Sequence, residues 1–179
     1  SLFRRSLLTL IISTMWLTWI IRAYVWSVLF QTTGVIPQTI SAVGITEEPV
    51  AIVPGYGGLL VGMVYVFLPF MILTLYANIR KINNTLIEAS KDLGAGPITT
   101  FYRVTLPLSK DGIISGTLLV FILSLGVYVL PQILGTASEW TIAVLIAGQV
   151  GNELNIPFAA TLSITLLASA ITFLAVTYR

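Results

Sequence analysis

The chain has 179 residues, 56% hydrophobic and only 9% charged, with a formal net charge of +2 and a mean hydropathy of +0.97. Soluble domains carry about 25% charged residues, so water is the wrong solvent for this chain, and its basic residues form no stripe of the kind that binds nucleic acid. It has neither cysteine nor histidine, which excludes disulfides, thiolate and imidazole catalysis and the usual zinc sites; no catalytic or metal-ligating residue is expected.

From Ser1 the chain passes through Arg4 and Arg5 straight into an apolar segment, and it ends at Arg179 straight after another. It reads as part of a longer protein lacking at least one N-terminal span, a processed terminus being the alternative. The first apolar segment, 7–29, is long enough to cross a hydrocarbon core of about 30 Å. At helical spacing Met15, Thr18, Trp19, Arg22 and Trp26 share one face. An arginine within a span costs about 3 kcal/mol at the membrane centre. Either this face lines a substrate passage, with Trp19 or Trp26 in cation–π reach, or Arg22 snorkels to the headgroups beside an aromatic belt. Thr18, Trp19, Arg22, Trp26 and Tyr65, the last from the next span, are the candidate path residues.

Residues 31–56 are rich in turn formers, and Ile36, Ile40 and Val43 predict one short helix on the membrane surface. A second span is predicted over 57–77 with Pro69 inside it, which neighbouring helices in a membrane tolerate. Asn78, Arg80 and Lys81 close it. The third covers 113–133. Within 135–156 the stretch 140–150 is apolar but too short to span, so it predicts an interfacial or re-entrant helix. Asn155 then caps a last span, 157–178, with Pro157 near its first helical position.

Charge sets the topology. With the Arg4–Arg5 end in the cytoplasm, Arg80, Lys81, Lys91, Arg103, Lys110 and Arg179 all fall inside, and the outer loops hold Glu47, Glu48, Glu139 and Glu153 without a lysine or arginine. That segregation is the positive-inside pattern, and it makes the polar loop 78–112 cytoplasmic.

Within that loop, NTLIEASKDLGAGPITTFYRVTLP (84–107) has a clear local grammar. Thr85 and Glu88 have the spacing of a capping box. Leu86, Ala89 and Leu93 share a helical face, and Gly94 suits a left-handed stop. Pro97 opens a second short helix with Ile98, Phe101 and Tyr102 on one side, and Pro107 lies where it should end. A plain connector between helices needs two to eight residues. This one is far longer, with small residues at Ala89–Ser90 between Glu88 and Lys91, and reads as a knob that fits a cytoplasmic partner.

The spacing Glu88-Ala89-Ser90, three residues, Gly94, nine residues, Val104, one residue, Leu106-Pro107 resembles the EAA loop of ATP-binding-cassette importer permeases. That pattern has alanine at the place of Ser90 and isoleucine at that of Val104. WLTWIIRAYVW (16–26), the stretch 62–95 and IPFAATLS (156–163) extend the resemblance to the permeases of spermidine/putrescine importers, the B-type subunit in particular.

The resemblance implies an all-α, type I importer permease of about four spans in the bacterial inner membrane, with a cytoplasmic coupling helix. It puts an ATPase contact on Glu88, Ala89 and Gly94, with Ser90, Asp92, Leu93, Ala95 and Pro107 completing the matched stretch. The implied partners are an ATP-binding-cassette ATPase dimer, a second homologous permease, a periplasmic or lipoprotein solute-binding protein, and membrane lipid. The chain has no P-loop, so ATP and magnesium belong to the ATPase. A polyamine is the first expectation for the solute, another small organic solute the second. A secondary transporter or channel is the distant alternative; such proteins usually carry intramembrane acids, and these four spans have none.

Overall fold

The computed structural model describes residues 2–14 and 18–177, and among these every regular element is helical. In chain order they are α1 (Leu2–Thr14), α2 (Trp19–Phe30), α3 (Val35–Ala42), α4 (Tyr56–Ile79) and α5 (Asn84–Asp92), followed by α6 (Pro97–Leu108) and α7 (Lys110–Leu125). Then come α8 (Val129–Leu134), a 3₁₀ turn over Ala137–Glu139, α9 (Ile142–Gly151) and α10 (Ile156–Thr177). The chain divides into two compact units, Leu68–Phe121 and the remainder on either side of it.

In the larger unit the stretch 7–29 holds the end of α1 and then α2, rather than one uniform helix. Thr18 has an extended backbone (φ −59°, ψ 144°) and α2 starts afresh behind it. Met15 and Trp16 lie outside the described residues. The stretch 113–133 is also interrupted. Helix α7 ends at Leu125, and the Val127 carbonyl accepts from the Thr141 hydroxyl at 2.7 Å. The helix is broken there, and α8 begins two residues later with Pro131 in its first turn, where a missing N–H costs nothing. Leu130 and Leu134 of α8 are wholly buried. A Cβ on Gly62 of α4 would lie 2.4 Å from the Leu134 side chain, so glycine lets α4 approach this closely. The loop 31–55 is tied down by Ile52 N–H to the Phe30 carbonyl and Gly55 N–H to that of Leu134, both 2.9 Å.

Helix α3 ends at Ala42 with Val43 as its C-cap, as the apolar spacing predicts. Helix α9 occupies the stretch expected to be short and apolar. Asn155 accepts from the Phe158 N–H at 3.3 Å, capping α10. Most large side chains of α10, Ile164, Leu167, Ile171 and Val176 among them, remain exposed, as on a helix solvated by lipid or by other helices.

The smaller unit is built on a close approach. Gly112 and Gly116 of α7 are buried, four residues apart and so on one face. A Cβ on Gly112 would stand 2.6 Å from the Asn78 Cβ, and one on Gly116 2.6 Å from the Met71 sulfur. Small residues at this spacing let two membrane helices pack backbone to backbone, here α7 on the second half of α4. Arg80, just past the end of α4, sits 5.7 Å from the Tyr76 ring centroid.

Among the described residues α4 and α10 are long and apolar enough to cross a membrane. A third crossing is available if α6 and α7, bent by 63° at Ser109, act as one. Pro69 stays inside α4 without ending it.

Candidate functional site

Two clusters collect the residues singled out by the sequence, one in each unit. The first is the elbow formed by α5, Gly94 and α6. Its entry cap is Asn83, whose Oδ1 accepts from the Thr85 N–H at 3.1 Å. The capping box expected from Thr85 and Glu88 is therefore not the one used: the helix starts at Asn84, so Thr85 is already inside its first turn. An asparagine is among the best N-caps and takes the position first.

The exit follows the sequence pattern closely. Gly94 has φ +80°, a conformation that costs residues with a Cβ roughly 1–2 kcal/mol. Gly94 N–H reaches the Lys91 carbonyl at 2.8 Å and Ala95 N–H that of Ser90 at 3.0 Å. These two bonds make a Schellman motif and satisfy carbonyls that the helix end would orphan. Gly96 caps α6 and Pro97 takes its first helical positions.

Midway, α6 widens into a π turn over Phe101–Thr105, with Leu106 N–H bonded to the Phe101 carbonyl. Pro107 supplies a reason: it has no N–H for the carbonyl four residues back, and its ring would crowd that carbonyl in a regular turn. The helix ends at Leu108, one residue beyond Pro107. Ser109 is buried and donates its hydroxyl to the Thr105 carbonyl at 2.7 Å.

Around this frame Glu88, Ala89, Asp92 and Gly94 are exposed, Ser90 and Ala95 half-buried and Pro107 exposed. Leu93 is 89% and Ile98 74% exposed. Leu93 is thus held out beside carboxylates, on a turn fixed by backbone bonds. Between the helices lies a cavity of about 400 Å³, bordered by Ser90, Leu93, Thr100 and Arg103 among others. Sequence reasoning missed Thr100, which is buried and shares a hydrogen bond with Ser90; nothing in the sequence marks it. It also missed Asn83, which the run of asparagines before the apolar pattern could have signalled.

The second cluster gathers Arg22, Trp26 and Tyr65 around a cavity of about 170 Å³, with Ile21, Val25 and Leu29 completing the wall. The Trp26 and Tyr65 rings meet edge to face at 5.3 Å, and Trp26 stacks on Phe30 at 5.0 Å. Arg22 is 3% exposed. Its Nε and Nη1 atoms are buried and make no hydrogen bond, so the guanidinium is enclosed rather than snorkelling. Trp19 points elsewhere, edge-on to Phe67 at 6.0 Å, and Thr18 is exposed. Of the candidate path residues, three are brought together and two are not.

Away from both clusters, Thr136 and Glu139 form a reciprocal capping box at the 3₁₀ turn. The hydrogen bonds from the Thr136 side chain and backbone hold the Glu139 carboxyl below the usual glutamate range. Among the described residues no group of His, Cys, Asp or Glu is placed to hold a metal ion.

The chain is similar to the spermidine/putrescine transport system permease protein PotB of Escherichia coli strain K12, 36% identical over 163 residues that make up 91% of this chain and 59% of that protein. With the protein of the same name from Haemophilus influenzae it is 35% identical over 177 residues, 99% of this chain and 62% of the other. With the inner membrane ABC transporter permease protein YdcU of E. coli K12 it is 34% identical over 157 residues, 82% and 50% of the two chains. It thus spans about three fifths or less of the length of these relatives. The family model described as binding-protein-dependent transport system inner membrane component matches residues 1–178, and the chain belongs to that family of membrane transport proteins.

Proposed function

We propose that this chain is a permease subunit of an ATP-driven importer that carries a polyamine across the bacterial inner membrane by alternating access. The observation that carries the coupling half is the elbow. It displays Glu88, Asp92 and Leu93 on a helix closed at both ends by its own backbone and caps, a surface shaped for a protein and not for a small molecule. Together with the importer pattern at 88–107, this supports a contact with an ATP-binding-cassette ATPase, one of a dimer that holds ATP and magnesium. The charge segregation puts the elbow in the cytoplasm and the loops with Glu47, Glu48 and Glu139 on the side of a solute-binding protein. A second, homologous permease completes the passage.

In this reading ATP binding closes the ATPase pair, draws the elbows together and reorients the spans. Support for a polyamine comes from the named activity of the relatives that match over nine tenths or more of this chain. The Arg22–Trp26–Tyr65 cavity contributes one wall of the passage. Its aromatic rings suit a cation, while Arg22 would repel one, so the cluster gates passage and does not store solute.

The test is uptake of labelled putrescine and spermidine in a strain whose own system is deleted, with the complete transporter supplied. Glu88→Lys and Gly94→Pro should each abolish ATP-dependent uptake with the protein still in the membrane. Uptake retained in both variants would sink the coupling assignment, and competition by an unrelated organic solute but by neither polyamine would sink the substrate.

A further inference from the structure

The structure assigns Ser90 and Thr100 a joint positioning role: their two hydroxyls form a clasp that sets the angle between α5 and α6, so that the elbow moves as one rigid lever. That lever role rests on the proposed coupling to an ATPase; the clasp itself does not.

The Ser90 and Thr100 oxygens are 3.0 Å apart, across ten residues of chain. Ser90 has a single hydroxyl proton, and it goes to the Ile87 carbonyl at 2.8 Å. Thr100 must therefore be the donor in the pair, giving a relay from Thr100 through Ser90 to the α5 backbone. Thr100 is only 5% exposed, so its hydroxyl is largely shielded from bulk water.

The clasp matters because the turn between the helices is open. A Cβ on Gly94 or Gly96 would meet nothing within 4 Å, so the turn is not packed. The space between the helices is a cavity, not an apolar core. The Schellman bonds lock the end of α5, but they do not reach α6. The part-buried hydroxyl bond between Ser90 and Thr100 then adds a constraint across the gap that packing at the turn does not supply.

The importer pattern has alanine where this chain has Ser90, and the pairing explains what the departure does. Alanine at 90 would leave the Thr100 hydroxyl buried without its acceptor, whereas loss of the Thr100 hydroxyl leaves Ser90 still bonded to Ile87. The two substitutions are unequal and not additive.

Amide hydrogen exchange over residues 91–100, measured on the complete transporter in lipid nanodiscs, reads the clasp directly. Ser90→Ala should raise exchange about tenfold, the effect expected of an orphaned buried hydroxyl, and Thr100→Val about threefold. The double variant should fall near Thr100→Val, and Thr100→Ser should keep the protection of the unaltered chain. Solute imported per ATP hydrolysed should fall several-fold in Ser90→Ala while the ATPase still co-purifies, and Thr100→Ser should keep the original ratio. Additive effects, or exchange unchanged in Ser90→Ala, would overturn the clasp. Altered exchange with an unchanged solute-to-ATP ratio would overturn its role as a lever. If the ATPase fails to co-purify even with the unaltered chain, the coupling reading and the lever fall together, while the exchange cycle still decides the clasp.

Discussion

The elbow and the arginine cavity are both polar features in an apolar chain, and they satisfy their polar groups over very different distances. In the elbow, Asn83 reaches Thr85, Ala95 reaches Ser90 and Ser90 meets Thr100, so partners lie within ten residues. Around Arg22 the walls come from α2 and from Tyr65, more than forty residues away in sequence, and two guanidinium nitrogens have no hydrogen-bond partner. A site closed by local bonds holds its shape wherever its helices move. One assembled from distant rings depends on how those helices are packed, which is the difference that the proposed lever and the proposed gate require.

Four changes would break or sharpen that contrast. The largest effect is expected at Gly112, where packing of α7 on α4 supports the elbow's own unit. Gly112→Val should destabilise the protein by about 3 kcal/mol, read as a lowered midpoint of thermal unfolding in detergent; an unchanged midpoint would remove the close approach from the account. Next is Arg22→Met, which replaces a buried cation with two unpartnered guanidinium nitrogens by an apolar chain of similar length. It should stabilise by about 1–3 kcal/mol while uptake falls at least about tenfold. Lost stability would mean that the guanidinium is satisfied within the transporter, and the cavity would then not be a gate.

At the elbow, Asn83→Ala should cost about 1 kcal/mol of α5 stability, seen as faster amide exchange confined to residues 84–92, whereas Thr85→Ala should do little. The reverse order would restore the capping box read from the sequence. The smallest effect concerns pH. The Glu139 carboxyl is held below the usual glutamate range by Thr136, so its ionised form steadies the 3₁₀ turn at neutral pH. That contribution is full above the unfolded-state pKa and is lost as pH falls through the lower folded-state value. Exchange in residues 136–140 should rise on acidification through that window, and Glu139→Gln should remove the dependence.

What could be read without coordinates follows the same division. Gly94 as a left-handed stop, Pro97 as a helix start and Asn155 as a cap are short-range consequences of residue type, and the structure has them all. The error over Thr85 was also local: two residues of the same short stretch, Asn83 and Thr85, can cap, and asparagine took the earlier position. The interruptions were harder. Hydropathy cannot tell a continuous span from α7 followed by α8, because a break costs nothing in composition when the Thr141 hydroxyl, fourteen residues on, takes up the Val127 carbonyl. The face expected on the first span was split for a similar reason. Helical spacing put Thr18, Trp19, Arg22 and Trp26 together, but Trp19 turns to Phe67 while Trp26 turns to Tyr65.

By itself the sequence determined the apolar class of this protein, the charge segregation, and the helix–glycine–helix form of 84–107, since burial preference, charge and backbone conformation are properties of residues and their near neighbours. Only the tertiary structure decided that Ser90 meets Thr100, that Gly112 and Gly116 seat α7 on α4, and that Arg22 is enclosed with Trp26 and Tyr65. Each of these depends on two segments meeting at contact distance, and no periodicity or spacing within one segment carries that information.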